Sequence, residues 1–251
     1  MQPIYRQEFK IDPTAVDCFD RLKPSRLLLF AQEIAGLHCD QISMTYDQLA
    51  DQGLFWAVIR NRVQITRLPK SGETIILETW PMPTTRTAYP RSTVAFDEQG
   101  NELFRSISLW VLMDRSTRSM IVPGKSGVIV EGTLRGMELD TPRSLLPKPL
   151  PQKSCRSVCF GDLDVNGHMN NARYLDWVMD LLPSAFHKNH TLRDMTLCYL
   201  NEAREGQLLD TTWDVDGDGV LQVDIHRQKE IQSEDHDRIF AAKLQFEDVV
   251  L

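Results

Sequence analysis

The stretch Gly72-Glu73-Thr74-Ile75-Ile76-Leu77-Glu78-Thr79-Trp80 has a counterpart further along the chain, Gly206-Gln207-Leu208-Leu209-Asp210-Thr211-Thr212-Trp213. The glycines are offset by 134, and aligning the tryptophans leaves the second copy one residue short. A second pair of segments, 104–110 and 240–246, recurs at an offset of 136. Two matches at nearly one offset indicate duplication of a structural unit.

Each copy reads as a helix followed by antiparallel strands. In the first, Ser25 follows Pro24 as an N-cap, and Leu27, Phe30, Ile34 and Leu37 recur at helical spacing. Segments 55–65, 74–80, 92–96 and 103–113 are rich in branched and aromatic residues and read as strands. In the second, Asn170 or Asn171 caps a helix whose Tyr174, Val178 and Leu181 share a face. Strands are expected there at 195–200, 207–213, 221–226 and 238–247. A helix and then a sheet, made twice, belongs to the α+β class. Pro142, Pro147, Pro149 and Pro151 crowd one segment, removing backbone donors and resisting helix and central strand alike. The expected organisation is a first unit at 1–134, a link at 135–154 and a second unit at 155–251.

A chain of 251 residues, 42% of them hydrophobic, can bury a full core without disulfides or metal. Its five cysteines, Cys18, Cys39, Cys155, Cys159 and Cys198, are an odd number without CxxC spacing. They indicate neither a disulfide framework nor a zinc site, and a reducing, cytoplasmic setting fits them. A formal net charge of -7 argues against a general nucleic-acid binder. The opening residues lack a signal-like apolar core, and no stretch approaches the ~18 apolar residues that suggest a membrane helix.

The densest set of reactive polar groups is Phe160-Gly161-Asp162-Leu163-Asp164-Val165-Asn166-Gly167-His168-Met169-Asn170-Asn171, just before the second helix. Asp164, Asn166 and His168 alternate, so an extended segment would present them on one side. A helix start adds unpaired N–H groups and a positive dipole end, suited to an oxyanion. Asp, Asn and Gly also make turns and N-caps with no chemistry attached. At offsets of 134 to 136 the first copy carries unrelated residues near Leu28, Phe30 and Gln32, so the polar set reads as dispensable to the fold unit.

The run from Asp164 to Asn171, followed by Tyr174 and Trp177, resembles the active-site segment of plant and bacterial acyl-ACP thioesterases. The resemblance extends to Trp56, the Pro69-x-x-Gly72-Glu73 turn, Thr79-Trp80, Trp110-Val111-Leu112-Met113-Asp114 and Thr117-Arg118. Phe160-Gly161-Asp162-x-Asp164 also resembles the single-domain hydroxybenzoyl-CoA thioesterases, whose second Asp attacks the thioester or activates water. The resemblance implies a tandem (double) hot-dog fold, each half an antiparallel sheet wrapped around a central helix. It further implies a soluble hydrolase of fatty acyl thioesters, without cofactor or metal, that takes its acyl group from acyl carrier protein. The site it implies comprises Asp164 as nucleophile or general base, Asn166 holding geometry, and His168 and Glu202 polarising water. Backbone N–H groups at Asn170 and Asn171 would face the oxyanion, and Trp56 would line the acyl pocket of a first half whose own site is degenerate. Many plant members have Cys after that Glu; Ala203 stands here, which leaves carboxylate chemistry.

Three alternatives stay open: an acyl-CoA thioesterase, a hot-dog enoyl-thioester hydratase and a non-catalytic acyl-thioester sensor. The hydratase motif resembles Asp-x-Asn-Pro-x-His, and Gly167-His168 lacks its proline and spacing; the sensors usually carry a DNA-binding helical segment. A homodimer is also left open. Residues 160–218 hold eleven acidic against four basic side chains, and residues 81–135 seven basic against five acidic. Charge therefore favours the first half as the dock for an acidic carrier. Asp214-Val215-Asp216-Gly217-Asp218-Gly219 imitates a calcium loop but has Ile225 at the twelfth position, which leaves a hairpin turn.

Overall fold

The computed structural model describes residues 3–41, 45–228 and 237–249. It comprises two compact units, Met1–Pro142 and Arg143–Leu251. In the first, β1 (Tyr5–Lys10) precedes the long helix α1 (Pro24–Gln41) and the short α2 (Tyr46–Asp51). Strands β2 (Leu54–Ile65), β3 (Thr74–Pro81), β4 (Tyr89–Phe96) and β5 (Glu102–Asp114) follow, then β6 (Met120–Ile121) and the single-turn α3 (Pro123–Ser126). The sheet runs β1-β3-β4-β5-β2, antiparallel throughout, with β6 beside β5. Helix α1 lies on its inner face: Phe30 packs on Phe9 with ring centroids 5.2 Å apart, and His38 stacks on Tyr5 at 5.9 Å. Pro24, which has no N–H to lose, opens the helix, so Ser25 is a buried residue of its first turn and not the expected N-cap.

The second unit repeats the plan with β7 (Gln152–Ser157), α4 (Asn171–Met179), α5 (Ser184–Asn189), β8 (His190–Tyr199), β9 (Leu208–Val215), β10 (Val220–Arg227) and β11 (Arg238–Asp248). Its order is β8-β11-β10-β9-β7, again antiparallel. Tyr174 of α4 stacks on Phe240 at 5.0 Å and meets Tyr199 edge-on at 6.1 Å. Strand β7 begins inside the segment expected as a link. It is an edge strand, exposed along nearly its whole length, so QKSCRS carries no apolar alternation that would reveal it. The aspartate-rich run at 214–219 forms the β9–β10 turn, where Asp216 Oδ1 accepts the N–H groups of Asp218 and Val220.

The repeat is real, but one residue of the sequence alignment is misplaced. Ile11 pairs with Glu73 and Gly72 as Val158 does with Gln207 and Gly206, which fixes the glycines as equivalent. From there Lys10↔Thr74 and Ser157↔Leu208 continue without a gap to Tyr5↔Thr79 and Gln152↔Trp213. Thr79, not Trp80, therefore corresponds to Trp213. One residue of slip exchanges the faces of a strand. Trp80 lies on the side away from α1, where its indole donates to Glu138 at 2.9 Å and Arg135 sits over its ring. Trp213 instead pairs across the ladder with Val223, on the side facing α4.

Candidate active site

Residues 163–169 form a closed loop between β7 and α4, pinched by a bridge between Leu163 and Met169. Asp164 organises it. Its Oδ1 accepts the backbone N–H of Asn166 at 2.8 Å and of His168 at 3.3 Å, while its own N–H donates to the His168 carbonyl at 2.8 Å. The amide of Asn166 approaches Asp164 Oδ2 at 3.5 Å. Gly167 takes φ 73, a left-handed conformation that favours glycine and lets the turn close.

Glu202 comes from the segment after β8, where the Met169 N–H donates to the Ala203 carbonyl at 2.9 Å. That tie brings the carboxylate to the loop: Glu202 Oε2 is 3.2 Å from His168 Nε2. The imidazole is largely covered, at 14% side-chain exposure, and the carboxylate is 42% exposed, so the pair has a dry end and a wet end. Arg227 donates to the Glu202 carbonyl and to Asp237, fixing the backbone from behind. The four residues expected from sequence thus meet within one unit. Trp56 lies in the other unit, on β2, where it packs edge-on against Tyr89 at 4.9 Å.

The helix start departs from expectation at one position. Asn170 is the N-cap, its Oδ1 accepting from Ala172 at 2.9 Å, but its own N–H donates to the Asp162 carbonyl at 2.8 Å. It is therefore not available to an oxyanion. The Asn171 N–H, at the first position of α4, has no acceptor among the described residues.

Sequence reading passed over the groups that hold this arrangement. Asp162 is only 3% exposed; Oδ1 accepts from Arg173 Nε and Nη2 at 3.1 and 3.0 Å, and Oδ2 from the Cys159 N–H at 3.0 Å. A buried, multiply bonded carboxylate of this kind pins the loop entry to α4. Its position in the quoted motif, eleven residues before Arg173, was the available signal. Tyr199 donates to the Asn171 carbonyl at 3.2 Å. Burial pushes the Tyr174 phenol well above its ordinary pKa, a shift that the Ala203 N–H bonded to it partly offsets, so it stays neutral.

The first unit contains the same loop with other side chains. Val16 bridges Leu22, Asp17 Oδ1 accepts the N–H groups of Phe19 at 2.8 Å and Arg21 at 3.0 Å, and Asp17 N–H donates to the Arg21 carbonyl at 2.8 Å. Leu22 donates to the Pro69 carbonyl as Met169 does to Ala203. The offset here is 147, so Asp17, Phe19 and Arg21 are the counterparts of Asp164, Asn166 and His168. Leu28, Phe30 and Gln32 lie within α1 and correspond to nothing in the loop, because the first unit has a much longer helix between loop and sheet. Leu68 stands for Glu202. The aspartate is thus part of the fold unit, contrary to expectation, whereas the amide, imidazole and second carboxylate belong to one copy alone.

Two antiparallel sheets, each with its helix on one face, define a tandem hot-dog protein. Residues 2–123 match the acyl-ACP thioesterase N-terminal domain and residues 151–248 the acyl-ACP thioesterase C-terminal domain, and the chain belongs to the acyl-ACP thioesterase family. Among curated relatives, the chloroplastic palmitoyl-acyl carrier protein thioesterase of Cuphea hookeriana is 27% identical over 237 residues, covering 86% of this chain and 56% of its own length. The corresponding protein of Gossypium hirsutum is 25% identical over 82% of this chain and 54% of its own. The chain thus spans about half the length of the curated relatives it matches. The fold matches the crystal structure of a Bacteroides thetaiotaomicron acyl-ACP thioesterase with TM-score 0.84 at 21% identity, over 98% of both chains. It also matches the 12:0-ACP thioesterase of Umbellularia californica with TM-score 0.83 at 22% identity, over 99% of both.

Proposed function

We propose that this chain hydrolyses fatty acyl thioesters and takes the acyl group from acyl carrier protein in preference to coenzyme A. The observation that carries this reading is the convergence of Asp164, Asn166, His168 and Glu202 in one unit, while the other unit keeps only the aspartate.

Asp164 Oδ1 is occupied by two backbone N–H groups, which leaves Oδ2 to act at the thioester carbonyl, directly or by deprotonating a water. The C–O bond forms as the carbonyl π bond opens to an oxyanion, and the Asn171 N–H at the positive end of α4 stabilises that charge. Collapse breaks the C–S bond and releases the carrier thiolate, which takes a proton; where Asp164 itself attacks, water then cleaves the resulting acyl anhydride, freeing the fatty acid and restoring the carboxylate. His168, oriented by Glu202, supplies or relays protons, and Asn166 keeps the aspartate in place. The first half receives the acyl tail, with Trp56 among its lining residues. No cofactor enters this scheme.

Support for the carrier comes from family membership and from exposed Arg86, Arg115, Lys125 and Arg135 in the first unit. Arg91, counted in that basic segment, is buried and cannot contribute to docking. Purified protein incubated with acyl-ACP and acyl-CoA of matched chain length should release free fatty acid, identified by mass spectrometry. The kcat/KM for acyl-ACP should be the higher and should fall with salt. A hydrated acyl group still attached to its carrier would point to a lyase, and equal use of acyl-CoA without salt dependence would overturn the carrier preference alone.

A further inference from the structure

The most unusual group outside the loop is Arg91 of β4, in the interior of the first unit. It is 7% exposed, and no carboxylate among the described residues lies within salt-bridge distance of it. Its Nη1 is 3.1 Å from His38 Nδ1 and 3.4 Å from Thr79 Oγ1, and its Nη2 is 3.7 Å from Cys39 Sγ. These are weak partners for a guanidinium. Burial pushes its pKa below the ordinary value, and the nearby Cys39 offsets only part of that. A buried cation without a counter-ion is expensive, and interior arginines are normally repaid by a carboxylate.

A second polar group lies on the same side of the sheet. Trp56 Nε1 is buried without a hydrogen-bond partner among the described residues. Its ring packs against Tyr89, which precedes Arg91 by two residues on β4 and so points to the same face. Around Tyr89, the half-buried Trp56, Trp110 and Ile121 form an apolar patch that still reaches solvent. The inner face thus passes from apolar aromatic surface to a desolvated cation within two residues of one strand.

We propose that the interior of the first unit is a site for an aliphatic chain that ends in a carboxylate, with the carboxylate on Arg91 and the chain on the Trp56–Tyr89 patch. The planar guanidinium matches a carboxylate with two parallel N–H donors, and pairing there supplies the missing counter-charge. The carboxylate could come from a free fatty acid, which would make this a product-sensing site, or from the distal end of a doubly functional acyl group. Both sources rest on the hydrolysis proposed above, whereas binding of the carboxylate at Arg91 does not.

Binding of decanoate and decanol, followed by tryptophan fluorescence and calorimetry on the full chain, tests the site without reference to turnover. The wild type should bind decanoate at least about tenfold more tightly, the value of a charge-assisted hydrogen bond. Arg91→Met, which keeps the volume and removes the charge, should abolish that preference. Should Arg91→Met fail to fold, Arg91→Lys should keep the preference at reduced affinity, and the wild-type comparison stands by itself. Decanol binding as tightly as decanoate, or a preference that survives in Arg91→Met, would overturn the proposal. Decanoate inhibition of decanoyl-ACP hydrolysis, relieved in Arg91→Met, would identify the free acid. A lower KM for an ω-carboxydecanoyl carrier substrate, lost in that variant, would identify the distal carboxylate. Failure of all hydrolysis with carboxylate binding intact would count against the thioesterase reading and not against this site.

Discussion

Residues 16–22 and 163–169 trace one backbone with two sets of side chains. In both, an aspartate Oδ1 gathers two loop N–H groups, a residue in the left-handed region closes the turn, and the last N–H is tied to a carbonyl after the neighbouring strand. In the second, the Asn166 amide lies 3.5 Å from that aspartate, and His168 of the same loop holds Glu202 at 3.2 Å. In the first, Arg21 places Nε and Nη2 each 3.2 Å from Asp17 Oδ2, neutralising the atom whose counterpart is proposed above to act on the thioester. Both loops are built on an aspartate, and they differ in what meets its second oxygen: a guanidinium in the first, only the Asn166 amide at 3.5 Å in the second.

The largest effect should come from paired asparagine substitutions. Asp164→Asn keeps an acceptor for the loop N–H groups but removes the attacking charge, so turnover should drop by ~10³-fold or more with thermal stability near wild type. Asp17→Asn should leave the rate within about twofold. Steady-state kinetics on acyl-ACP with melting curves of both proteins check this, and equal losses in the two variants would erase the distinction drawn here.

Removing the second carboxylate comes next. Glu202→Ala should cut kcat by at least ~100-fold, the usual share of a proton-handling group. Leu68→Glu, the reciprocal change, should confer nothing on the first loop. A well-folded Glu202→Ala protein with normal turnover would reduce that residue to an exposed strand-end charge.

Asp162 separates holding from reacting. Its counterpart in the first loop is Ala15, so the fold unit does not require a carboxylate there. Asp162→Asn leaves Arg173 without its buried partner and should cost about 2 kcal/mol of stability. Denaturant unfolding of the variant measures the loss; an unchanged midpoint would mean that Arg173 finds equal compensation in Asp176 or solvent.

The smallest effect is expected at Cys198. Cys198 is fully buried on β8 with its thiol toward the Arg143 carbonyl. Cys198→Ser should retain hydrolysis in the folded fraction. Loss of turnover without loss of folding would revive a thiol mechanism.

The long apolar strands and the repeat were legible in the sequence because each side of the ladder leaves its own pattern of apolar residues. The edges were not: QKSCRS of β7 is solvent-exposed, so nothing in its composition distinguishes it from the proline-rich segment before it. The Trp80 and Trp213 match was persuasive and wrong by one position, since an indole serves equally on either face and only the ladder register decides between them. Among site residues, the motif carried Asp164, Asn166 and His168, and the resemblance carried Glu202. Asp162 and the engaged Asn170 N–H were invisible because their roles rest on hydrogen bonds to residues distant in sequence. The counterpart loop was missed for a related reason, the offset jumping from 134 to 147 across a helix of unequal length.

If the second loop alone is reactive, the chain has one working centre. Titration of the wild type with a non-hydrolysable acyl thioester analogue, followed by calorimetry, tests that directly. One site per chain is predicted, its affinity altered by Glu202→Ala and unaffected by Asp17→Asn. Two equivalent sites, or a single site sensitive to Asp17→Asn and indifferent to Glu202→Ala, would contradict it.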